Sequence, residues 1–88
     1  MISQSFTVTT TRQLIVAASV NAREVSVHAI GTGVVYLGGS NVTAANGMMT
    51  EKNAVPFTFT LPANNELWAV SAGSEDLRVM TPANMSGV

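Results

Sequence analysis

Eighty-eight residues, of which only 10% are charged, with a net charge of -1, no cysteine and a single histidine, describe one small domain with little ionic chemistry. The missing cysteines exclude disulfides and thiolate metal centres, and the scattered Arg12, Arg23, Lys52 and Arg78 form no basic patch for nucleic acid. The longest apolar run, Leu14 to Ala18, is far shorter than the roughly 20 residues of a membrane span, and no basic-then-apolar leader opens the chain.

Period-two alternation rich in β-branched residues runs through the sequence, and helical periodicity is absent. A first strand is expected over Ser5–Thr10, with Phe6 and Val8 on one face and Ser5, Thr7 and Thr9 on the other. A second covers Gln13–Ala18. Its consecutive Leu14, Ile15 and Val16 leave no polar side, which implies a strand covered on both faces or by a partner subunit. Glu24–Ile30 alternates cleanly, with Val25, Val27 and Ala29 inward and Ser26 and His28 outward. Gly31-Thr32-Gly33 then leads into Val34–Leu37, so these two strands are expected to pair as an antiparallel hairpin.

From Gly38 to Asn53 the apolar content drops, and the stretch reads as a functional or interface loop turning at Asn46-Gly47, two residues that tolerate positive φ. Val55–Leu61 is a strand whose Pro56 cannot donate a ladder hydrogen bond and therefore favours an edge or a strand start. Phe57, Phe59 and Leu61 share one of its faces. Glu66–Ala72 and Asp76–Thr81 complete a set of about seven short strands, the pattern of an all-β antiparallel β-sandwich or jelly-roll-like barrel. A single domain spans residues 1–88, with a possible N-terminal arm over 1–12 and a tail over 82–88 that is mobile or docks on a neighbour.

The chain supplies little for catalysis. His28 has no Asp or Glu at a spacing that predicts a general base or a metal site, so no metal and no cofactor is expected. Glu75-Asp76 reads as a solvated turn, because adjacent carboxylates beside a strand point apart. Gly31-x-Gly33 and Gly38-Gly39 are turn glycines with no helix following to bind a phosphate. Ser40 lacks a nucleophile-elbow context. Asn41-Val42-Thr43 and Asn84-Met85-Ser86 match the glycosylation pattern, as chance allows in a chain with seven Asn, eight Ser and ten Thr.

Those short polar side chains take the place of charges, so little ion desolvation opposes contact with another protein. A chain of this size removes only about 60–65% of its surface from water on folding, and partners would add burial. The spare apolar strand faces make Phe6, Val8, Leu14, Val16, Tyr36 and Trp68 the candidate interface residues of a homo-oligomer. Trp68 and Tyr36 are also the residues that a carbohydrate-binding module would expose, the main alternative.

The succession Arg23-x-Val25-x-Val27, Val35-Tyr36-Leu37-Gly38-Gly39, Asn41-Val42-Thr43, Asn46-Gly47, Leu61-Pro62, Glu66-Leu67-Trp68-Ala69-Val70 and Leu77-x-Val79 resembles small β-rich virion structural proteins of tailed bacteriophages. The resemblance covers about residues 23–80 and rests on framework residues. Met48-Met49-Thr50 departs from it, since the family's loop is poorer in methionine. It implies a non-enzymatic capsid decoration or cement protein bound to the major capsid protein lattice, with a head-fibre base or tail-associated subunit as the neighbouring reading. It further implies a virion location after assembly in the bacterial host cytoplasm, and an attachment arm or intersubunit strand within residues 1–22; a homo-oligomer, with a trimer at a threefold position favoured, is expected, and the charge and hydropathy give no reason to expect a nucleic-acid or membrane partner.

Overall fold

Successive side chains of a strand point to opposite faces, and burial in this chain follows that period closely. A computed structural model describes residues 2–53 and 55–81; the expected tail at 82–88 lies outside the described residues. Among those described, eight strands follow one another: β1 (Ile2–Val8), β2 (Gln13–Val16), β3 (Arg23–Ala29), β4 (Val34–Gly38), β5 (Met48–Glu51), β6 (Phe57–Leu61), β7 (Leu67–Ser71) and β8 (Glu75–Thr81). In β3, Val25, Val27 and Ala29 are buried while Glu24, Ser26 and His28 face outward, as the alternation requires.

The strands form two four-stranded antiparallel sheets, ordered β1-β8-β3-β6 and β2-β7-β4-β5. The pairs β1–β8, β2–β7, β3–β6 and β4–β5 are those of one long hairpin folded double, and the further pairs β3–β8 and β4–β7 complete the two sheets. An eight-strand hairpin rolled up in this way is a jelly-roll sandwich. Its core lies between the sheets, with Val8, Val25, Val27, Leu77 and Val79 contributed by one and Ile15, Val16, Val35, Leu37, Leu67 and Ala69 by the other.

Four expectations need correction. First, β3 and β4 are not a hairpin: Ala29 pairs with Leu77 and Val34 with Glu51, in different sheets. The Gly31–Gly33 turn carries the chain from one sheet to the other across the end of the sandwich, and a short glycine turn between two alternating strands looks the same in sequence whether it closes a hairpin or crosses between sheets. Second, Glu75 is no free turn residue. Its carboxylate accepts a hydrogen bond from the Gly33 amide at 2.9 Å, and lies where a Cβ on Gly31 or Gly33 would be. Third, β5 lies within the expected loop. Its single buried residue is Thr50, whose hydroxyl accepts the Ala29 amide at 3.4 Å and so ties one sheet to the other.

The fourth concerns the N-terminus. Residues expected to form an arm over 1–12 instead contain β1, which pairs with β8 along its whole length, from Ile2 opposite Thr81 to Val8 opposite Glu75. The chain buries Val8 completely and packs Phe6 against the same core.

A register shift between Leu14 and Val16 explains the three consecutive apolar residues of β2. A bulge breaks strict alternation, so Ile15 and Val16 are both buried while Leu14 stays on the solvent side. Pro56 precedes β6, an edge strand, as its missing N–H demands. At one end of the sandwich the buried Arg23 binds two loops: its guanidinium donates to the Ala17 carbonyl at 2.8 Å and to the Asn65 carbonyl at 3.4 Å. Asn64, the positive-φ non-glycine residue of that corner, donates its amide to the Ser19 carbonyl.

Candidate docking surface

Residues directly opposite on neighbouring strands share a face, with Cβ atoms about 4.5–5.5 Å apart. On the outer face of β2-β7-β4-β5 the register makes two rows: Leu14, Trp68 and Gly38 in one, and Val70, Tyr36 and Met49 in the next. Every side chain in these rows is apolar or aromatic. Leu14 is 38% exposed and Met49 69%, Trp68 and Tyr36 are half-buried, and Val70 is buried. The indole N–H of Trp68 donates to the Glu66 carboxylate at 3.1 Å, which satisfies its polar atom and leaves the ring body as apolar surface. Exposed Glu51, two residues from Met49 on β5, and exposed Glu66, bonded to the indole, border this apolar centre with charge.

The six candidate interface residues divide between two environments. Leu14, Tyr36 and Trp68 come together on this face. Val8 and Val16 are buried between the sheets, at 0% and 3% exposure, and Phe6 packs against the same core. Met49 was missed, because finding it depended on recognising β5. Val70, two residues from Trp68 on the same strand face, is buried at 8% exposure and supports the face rather than offering surface.

The loop between β4 and β5 fixes the position of Tyr36. It closes on Val42, which is buried at 2% exposure. Asn46 Oδ1 accepts the Thr43 amide at 2.7 Å, the Thr43 carbonyl accepts the Gly47 amide at 2.9 Å, and Asn46 Nδ2 donates to the Asn41 carbonyl at 3.3 Å. Neither Asn46 nor Gly47 has positive φ, so the expected reason for this pair is wrong. Gly47 is required for space: a Cβ there would lie 2.6 Å from Tyr36 Cβ, 2.9 Å from Val42 Cγ2 and 3.0 Å from the Thr43 carbonyl oxygen. Two of these neighbours, Tyr36 Cβ and the carbonyl, cannot swing away. Gly47→Ala is therefore expected to cost about 1–3 kcal/mol through overpacking. Gly73→Ala, with nothing within 4 Å of its added Cβ, is the matched control and should stay within about 0.5 kcal/mol of the parent in urea unfolding.

Among the described residues, no group of three or more His, Cys, Asp or Glu is placed to hold a metal. Glu75 turns to the Gly33 amide while the adjacent Asp76 is exposed, so the two carboxylates do not converge. In comparisons with known proteins, no family model, no curated protein and no solved structure matches this chain. Fold and site together define an all-β jelly-roll sandwich with one apolar outer sheet face.

Proposed function

We propose that this chain is a non-enzymatic bacteriophage virion structural protein, a capsid decoration protein that binds the major capsid protein lattice and stabilises the head through the outer face of β2-β7-β4-β5. The observation that carries the reading is the placement of Leu14, Trp68, Tyr36 and Met49 on the outer face of one sheet, around a buried Val70. The resemblance of residues 23–80 to virion proteins supports it, and so does the scarcity of charge, since a rigid sandwich with few ions to desolvate suits permanent contact.

Size argues for more than one contact. Four strands about 4.8 Å apart and five residues at about 3.3 Å each make a face of roughly 300 Å². A standard interface buries about 800 Å² per partner. One face alone is too small for a durable pair, so the proposed assembly is a homotrimer at a threefold position that combines this face with flanking loops and gains avidity from several weak attachments.

The test is Leu14→Glu combined with Met49→Glu. Both sites are exposed on edge strands, so the melting temperature should be nearly unchanged. Burying two unpaired carboxylates should weaken attachment by about 100-fold or more. Cosedimentation with cognate heads lacking the protein should lose the double variant and retain the parent, which should run as a trimer in light scattering. Undiminished sedimentation of the variant, or a monomeric parent at micromolar concentration, overturns the proposal.

A further inference from the structure

On the sheet opposite the docking face, the outward residues of β1, β8 and β3 line an open groove of about 420 Å³, within the roughly 300–1,000 Å³ of small-molecule sites. Two cross-strand rows form its floor. One is Ser5, Arg78 and His28; the other is Ser3, Met80 and Ser26, and Ser26 continues to Thr58 on β6 with a hydroxyl–hydroxyl hydrogen bond of 2.9 Å. Pro56 closes one side.

Two groups here are left without partners. Arg78 is exposed and makes no hydrogen bond or ion pair among the described residues. His28 Nδ1 is buried with no partner, while Nε2 is not among the buried unpaired atoms, so Nε2 is the ring nitrogen open to a ligand. Asp76 and Glu24 share the outer face of this sheet but pair with neither group. A guanidinium fork directly opposite an imidazole, with Ser5 on the other side, is a donor set for an oxyanion. The second row adds hydroxyls and the apolar Met80 and Pro56, the surfaces that a sugar ring meets through its own hydroxyls and its C–H face.

We infer that this groove binds an acidic saccharide unit, its carboxylate held by Arg78 and His28 and its hydroxyls by Ser3, Ser5 and Ser26. The site lies on the sheet away from the docking face, so its failure leaves the proposed capsid role untouched, and failure of that role leaves the groove in place.

The experiment is a titration of the isotope-labelled full chain with glucuronate, followed by amide chemical shifts, with inorganic phosphate as the second arm. Glucuronate should produce saturating shifts confined to residues 3–5, 26–28 and 78–80 with a Kd on the order of millimolar, several-fold tighter than phosphate. Arg78→Gln should weaken binding about 10-fold or more without changing the melting temperature, and His28→Gln should weaken it less. Absence of saturation at about ten times that concentration, retention of binding in Arg78→Gln, or equal affinity for phosphate each overturns the assignment.

Discussion

Deleting residues 1–8 is expected to abolish the cooperative fold. β1 is an edge strand, but all of its described residues pair with β8, and two of its side chains belong to the core. Loss of Val8 alone removes about 1.5–3 kcal/mol of apolar burial, and Phe6 adds part of a similar amount. The ladder hydrogen bonds, at about 0.5–1.5 kcal/mol each, roughly offset the entropy of ordering the strand, so the side chains decide the balance. The cut also uncovers the backbone edge of β8 and leaves Leu77 and Val79 open to water on that side. A chain of this length has a total stability of about 4–13 kcal/mol, and the deletion consumes most or all of it. Far-UV circular dichroism and amide dispersion should show an unfolded or molten chain. A dispersed spectrum with a sharp thermal transition would mean that the N-terminal segment is an appendage after all.

That outcome bears on what could be read from the residues. Inward positions were legible wherever burial selects an apolar residue at every second place: Val25, Val27 and Ala29, Phe57, Phe59 and Leu61, Leu67 and Ala69 all face the core or its margin. β5 was hidden because its one buried residue, Thr50, is polar and was chosen for a hydrogen bond to Ala29. The sheet assignment of β3 and β4 was hidden for a different reason. Strands on opposite sides of one core carry the same alternation, and only pairing partners distant in sequence, Leu77 and Glu51, distinguish them.

The candidate surface was legible in half. Leu14 was visible as a spare apolar residue, but separating it from Ile15 and Val16 required the bulge that turns two consecutive side chains inward. The Asn41–Gly47 segment was recognisable as a turn, yet its purpose is steric: it packs Val42 and lets Gly47 pass close to Tyr36. Close approach of backbone to side chain leaves no periodic trace in a sequence.

Leu77→Ala should be the most damaging single substitution. Leu77 heads the fully buried side chains and stands between Phe6 on β1 and Ala29 on β3. Its neighbour on one side is a methyl group, so no larger side chain there can lean into the vacated volume, and the flanking strands are held apart by their ladders. With little collapse available, the cost should fall at about 3–5 kcal/mol. At about 4–8 °C per kcal/mol for a domain of this size, the midpoint should drop by roughly 12–40 °C in calorimetry. Met80→Ala, on the same strand but 41% exposed, should shift it by no more than a few degrees. Because Leu77 faces inward on the sheet that lacks the proposed docking face, any loss of the proposed particle binding in this variant should follow the fraction unfolded and return on cooling, unlike the loss expected for Leu14→Glu with Met49→Glu. A Leu77→Ala protein that melts within a few degrees of the parent would show that the space between the two sheets is not filled as described.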